Sequence, residues 1–445
     1  MTSAPPPLPP RLLPTLYVAT AHVALAFAFG AVAIDPRGVS GFFYHPRMLA
    51  VVHLITLGWI TTSILGSLYL VGPIALRVWI PATRLDYAGF ALVLAGIIGM
   101  VVDFCLQQYR AVAWSAVAVG TGIMIVGAQV ARRLRHASLP RAVGAHILLA
   151  FLNLLAAAVL GVLLAFEKVY HFLPGFVLTN VFAHAHMAAI GWASMMVIGV
   201  ASRLLPMVLP AAMPRGPGLW TSAVLLEAGV VGLFVTLLLQ GSLAWLWALV
   251  VIAGFGAFVV RVAWMLRRPR TRPRGLRRPD PAVLHAVSSL ASLGVASALG
   301  LWLTIAEASP ATLRVAMAYG VFGLVGFLAQ IVVGMGGRLL PIFAWYWAFA
   351  NTGYKGPVIS PHDMPWRHGQ ILVFILWLLG IPALAAGLAF DAIPLVSAAA
   401  WGLLVATLVD SANAARILRH AFPAPGGEKG GGDEKGVGSL FLERQ

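Results

Sequence analysis

The six residues FAHAHM, Phe182 to Met187, place two imidazoles two positions apart inside a long apolar run. A bilayer penalises polar groups, so His184 and His186 need a partner to be there at all. Three chemistries would supply one. Neutral imidazole ligates heme iron and copper, it relays protons, and it packs quietly when hydrogen-bonded. On an α-helix the two rings point about 200° apart, so they cannot share one metal unless the helix is distorted. Either can be a ligand while the other serves a second site or a loop.

His53 belongs with them. Three stretches align without gaps: HLITLGWITTSILGSLYLVGP, HMAAIGWASMMVIGVASRLLP and VFGLVGFLAQIVVGMGGRLLP. Gly58, Gly66 and Pro73 recur as Gly191, Gly199 and Pro206, 133 residues on, and as Gly326, Gly334 and Pro341, a further 135 on. In this register His53 matches His186 and then Val321, while His184 matches Val51 and Tyr319. The paired glycines lie two helical turns apart on one face, where small residues let helices approach closely in lipid.

These stretches must be held by helices. The chain has 445 residues, of which 60% are hydrophobic and 10% charged, and its mean hydropathy is +0.90. That composition predicts an all-α polytopic membrane protein. Apolar runs fall at 12–34, 47–73, 84–106, 111–131, 143–166, 177–210, 219–239, 242–266, 281–306, 314–347, 369–389 and 392–417. Twelve spans result. Basic runs after spans four and eight, RRLRHASLPR and RRPRTRPRGLRRP, cut them into groups of four. The expectation is three repeats, about 12–131, 143–266 and 281–417, around a pseudo-threefold axis. His22, His146 and His285 each fall near the start of a repeat and support it. A Pro-rich lead covers 1–11, the membrane domain 12–420, and a Gly-rich, disordered tail 421–445.

Charge orients the bundle. The basic runs, with Arg416 and Arg419, lie opposite Asp35, Asp103, Glu167, Glu307 and Asp391. The positive-inside rule then places both termini in the cytoplasm, with His53 and His186 at equal depth in the outer third of the membrane. The net charge of +16 is accounted for by these loops, so no nucleic-acid partner is implied; the partner is the lipid bilayer. Cys105 is the single cysteine, which excludes an internal disulfide and any thiolate cluster built by this chain alone. No Walker, GxSxG or HExxH motif occurs, so nucleotide-driven transport and hydrolysis lack support.

Other polar residues in the spans admit two readings each. Glu227, in span seven, is a possible proton relay or an interhelical hydrogen-bonding acid. Asn153 and Gln330 read as links between helices. Arg203 and Arg338 either snorkel to headgroups or meet an anion. Trp345, Tyr346 and Trp347 fit an interfacial belt. His45 fits a helix start, and His136, His171, His362, His368 and His420 read as solvated.

With these residues in place, the chain resembles the catalytic subunit of the heme-copper oxidases, best in the first stretch and in HAHMAAIGWASMMVIGVASRLLPM, and nearest to divergent cbb3-type subunit I-like members. GMGGRLLPIF resembles the NnrS family of heme- and copper-containing membrane proteins linked to nitric-oxide stress. The resemblance implies a bacterial-type inner membrane, heme with copper as a further possibility, and a cytochrome or other respiratory subunit as partner. It makes His53 an axial heme ligand, with Met317 or His186 as the second or none, and makes His184 or His186 the helix-six copper ligand. The departures are specific. Spans seven, eight and ten carry no histidine, so the complete heme–copper centre is not expected and oxidase turnover is doubtful. Electron transfer or a response to nitric oxide or oxygen fits better. A different class also fits: a transporter or channel that moves protons or metal ions on intramembrane His and Glu. A third is a structural respiratory subunit that has lost its heme.

Overall fold

The structure, a computed structural model, describes residues 8–422 apart from 136, 138, 215, 272–275, 277, 351–352 and 354–358. His136 and nearly all of the tail lie outside the described residues. Twelve helices are long and apolar enough to cross a membrane. They are α1 (Leu12–Ile34), α2 (Pro46–Leu76), α3 (Arg84–Cys105), α4 (Tyr109–Leu134), α5 (Arg141–Tyr170), α6 (Val177–Val208), α7 (Gly218–Leu238), α8 (Ala244–Leu266), α9 (Pro281–Ile305), α10 (Pro310–Phe349), α11 (Arg367–Ala389) and α12 (Ile393–Leu418). Among the described residues the only β-pairing is an isolated bridge between Ala211 and Pro269. The chain is an all-α multi-pass membrane protein.

Local chemistry fixes the helix ends. Pro46, Pro281 and Pro310 occupy first turns, where a missing N–H costs nothing. His45 caps α2, its Nδ1 accepting from the Arg47 N–H at 3.3 Å. Asp86 is fully buried at the start of α3. Its carboxylate accepts from the Thr83 N–H at 2.8 Å and from Tyr69 Oη at 2.6 Å, so no lone charge is left unpaired. The lead is built in: Trp79 donates to Leu8 O, Trp347 to Pro9 O, and Arg11 to Ala421 O. That last bond holds the two ends of the described chain at one end of the bundle, the end that carries the basic loops.

The repeats are visible in the packing. A Cβ added at Gly66 would lie 2.6 Å from Tyr17 Cβ; at Gly199, 2.7 Å from His146 Cβ; at Gly334, 2.7 Å from His285 Cβ. Gly58, Gly191 and Gly326 meet Ala24, Asn153 and Ser292 in the same way. The counterpart of His146 and His285 is Tyr17, not His22. His22 lies further along α1, where its Nε2 is 3.5 Å from Asp410 Oδ2. With His146 Cβ so close, Gly199→Leu is expected to cost about 3 kcal/mol, read as a lower unfolding temperature in detergent. Gly144→Ala, where an added Cβ meets nothing within 4 Å, should leave that temperature unchanged.

The three central helices share a feature that their sequences do not announce. Each widens into a π-helix over equivalent residues: Leu54–Thr61 in α2, Met187–Ser194 in α6 and Val321–Ala329 in α10. These segments touch one another around the axis. Trp59 Nε1 donates to Ala329 O at 3.2 Å, and Trp192 Nε1 donates to Thr61 Oγ1 at 3.0 Å. Donors and acceptors are equivalent positions, so the contact is one interaction repeated by rotation. The third copy has Phe327, which lacks an N–H and packs on Phe255 instead. π-Helical turns are rare and cluster at functional sites.

Candidate functional site

Just before the π segments, on the side away from the basic loops, sit the candidate ligands. His53 bonds back along its own helix: Nδ1–H donates to Leu49 O at 2.7 Å. A carbonyl only accepts, so the proton is on Nδ1 and the lone pair is on Nε2. His184 does the same across helices, Nδ1–H donating to Ala157 O of α5 at 2.8 Å. Its ring lies over Gly161, where a Cβ would come within 2.8 Å of Cε1. No described residue hydrogen-bonds Nε2 of either ring. An imidazole anchored through Nδ1–H to a carbonyl, with Nε2 presented, is the usual form of a metal-ligating histidine. Phe104 of α3 flanks the His53 ring, its centroid 5.2 Å away.

Pseudo-symmetry explains which rings meet. His186, the counterpart of His53, donates Nδ1–H to Phe182 O at 2.7 Å. Its Nε2 accepts from the Tyr319 hydroxyl at 3.0 Å, and the two rings stack with centroids 5.9 Å apart. Tyr319 is the counterpart of His184, and its ring sits over Gly300 as that of His184 sits over Gly161. The α6–α10 interface therefore holds His186 with Tyr319. By the same rotation the α2–α6 interface holds His53 with His184. The α10–α2 interface places valines at the same positions, Val321 and Val51, both buried.

This geometry re-pairs the residues. His53 and His186 occupy equivalent places in different interfaces, so they do not face each other; the partner set opposite His53 is His184. His184 and His186 diverge, as their spacing requires, and do not converge on one ion. Among the described residues no three or more His, Cys, Asp or Glu side chains gather as a metal site. Met317 is buried at the start of α10 and lines a separate pocket with Phe42, Arg314 and Asp391. Near the end of α5, Lys168 Nζ lies 3.8 Å from the Tyr44 ring and 4.9 Å from the Tyr109 ring.

The remaining candidates resolve individually. Asn153 Nδ2 donates to Glu227 Oε2 at 2.8 Å and to Gly191 O at 3.2 Å, joining α5 and α7 to the π segment of α6. Gln330 is fully buried, and neither its Oε1 nor its Nε2 is hydrogen-bonded. Arg338 does not snorkel: it pairs with Asp280 Oδ2 at 2.5 Å. Arg203 donates Nε–H to Ala75 O at 3.2 Å. Trp347 is core rather than belt, at 3% exposure. Glu227→Leu should cost about 1–2 kcal/mol by stranding Asn153, while Glu227→Gln, which can still accept that bond, should keep the unfolding temperature within a degree or two. A relay role would show as loss of function with Gln as severe as with Leu.

Three elements of the site escaped the sequence: the π segments, the His186–Tyr319 bond, and the glycine seats under His184 and Tyr319. A signal for the last existed, since Gly161 and Gly300 occupy matching places in α5 and α9. In comparison with known proteins, neither a family model nor a curated protein matches the chain.

Proposed function

We propose that this is a heme-binding membrane protein of the heme-copper oxidase type, without a complete heme–copper centre, acting in electron transfer or in response to nitric oxide or oxygen. The observation that carries the reading is the His53–His184 pair. Two imidazoles from adjacent repeats share one interface, each anchored by Nδ1–H and each presenting Nε2. The donor set suits heme iron. His53 and His184 would hold the iron, Gly161 would seat the His184 ring, and Phe104 would pack against that of His53. The heme, when bound, supplies one-electron exchange and, where a ligand is displaced, a site for a diatomic gas. The second interface is filled by the Tyr319 hydroxyl on His186, which leaves that imidazole no nitrogen for copper. A bacterial-type inner membrane with cytoplasmic termini, and a cytochrome or other respiratory subunit as partner, complete the reading.

The test is chemical. Protein purified in detergent from cells supplied with heme precursor is expected to carry about one heme per chain, assayed as the pyridine hemochrome. Apoprotein throughout would turn the reading to the transporter or channel, whose specific support is the His22–Asp410 pair on a central chamber. Proton-coupled solute uptake in proteoliposomes would then be the assay.

A further inference from the structure

Beyond the π segments, toward the basic loops, a partly open chamber of about 150 Å³ is lined by α2, α6 and α10 together with α1 and α12. Its walls are mostly apolar, with Met196, Met335 and Trp59 among them; Ser63, Ser67 and Asn413 add polar atoms, and His22 with Asp410 forms its ionisable corner. That corner is incomplete. His22 Nδ1 lies 2.8 Å from Val18 O, so it carries the proton and donates it there. Its Nε2 is buried without a hydrogen-bond partner, and Asp410 Oδ2 stands 3.5 Å away. With neutral imidazole these are two acceptors facing each other with no donor between them. A buried Nε2 of that kind, beside a part-exposed carboxylate, is costly until an O–H or N–H reaches it.

We propose that the chamber is a binding site for a small lipophilic molecule whose ring fills the apolar part and whose single hydroxyl donates into the His22–Asp410 corner. An apolar cavity of roughly this size admits one benzene ring. The hydroxyl completes the corner, which a purely apolar ring cannot do. Recognition therefore rests on one donor, and phenols are the matching class. The site is separate from the His53–His184 pair, and its test does not involve heme.

The experiment uses 4-fluorophenol and fluorobenzene as probes of the purified full chain in nanodiscs, read by ¹⁹F NMR titration. Saturable binding of both is expected, the phenol about tenfold tighter, as one added hydrogen bond implies. Asp410→Asn places an amide N–H beside Nε2 and should bring the two probes to parity; His22→Phe should do the same. Gly336→Leu should abolish saturable binding of both, because Gly336 lines the chamber and an added Cβ there meets nothing within 4 Å, leaving the fold undisturbed. Thermal melts confirm that each variant is folded, and His22→Phe carries the test if Asp410→Asn is not. Equal affinity of the two probes for the wild type, a phenol preference that survives both corner variants, or no saturable binding at all would each overturn the proposal.

Discussion

His184→Ala and His186→Ala should part company. The first removes one Nε2 from the interface shared with His53, and the proposed heme should change from a low-spin, bis-imidazole spectrum to a high-spin one that binds carbon monoxide. The second should leave the spectrum unchanged, because the Nε2 of His186 already accepts from Tyr319. The two histidines are two residues apart and both part-buried, so a general disturbance of α6 would affect the variants alike. Only the assignment of each ring to its own interface separates them. Electron paramagnetic resonance at low temperature distinguishes the spin states directly. A spectrum lost with His186 and kept with His184 would reverse the assignment.

The glycine seats give a second large effect without touching a ligand. A side chain at Gly161 would come within 2.8 Å of His184 Cε1 and 3.3 Å of Nδ1, so the ring must leave its place and its bond to Ala157 O. Gly161→Leu is therefore expected to reproduce the high-spin spectrum of His184→Ala. Gly300→Leu meets the Tyr319 ring instead, 2.9 Å from Cε2, and should spare the spectrum. Both substitutions overpack a helix crossing, with a similar destabilisation of about 1–3 kcal/mol. Stability therefore does not explain a spectral difference between them. Recovery of protein on a sizing column, followed by the oxidised and reduced spectra, checks both points.

Much of this architecture was legible because the bilayer narrows the choices. Each of the twelve helices coincides with an apolar run to within four residues at either end. The glycine spacing has a counterpart in the packing: Gly66, Gly199 and Gly334 make the same contact with the first helix of each group of four. Burial depth and repeat equivalence follow from one-dimensional spacing, so His53 and His186 could be matched from the sequence. What spacing does not contain is which neighbour a face meets. The sequence aligned His184 with Tyr319 and His53 with His186, yet the contacts run across those columns, each histidine of one repeat meeting the residue two places earlier in the next. That offset is a property of how parallel helices pass one another around the axis. The π segments were hidden for a related reason. Their residues, LITLGWIT among them, are ordinary apolar membrane residues, and the widening is a tertiary response to close packing of three helices. His22 was misplaced by proximity in sequence to the start of α1, where Tyr17 holds the equivalent position.

The central claim is that His53 presents a free Nε2 to a bound heme. Its most direct test is the absorption spectrum of the purified protein, oxidised and dithionite-reduced, for wild type beside His53→Ala. The expected result is a Soret band with sharp reduced α and β bands in the wild type, lost in the folded variant. A wild type with no Soret band after heme is supplied, or a His53→Ala spectrum identical to it, would contradict the claim.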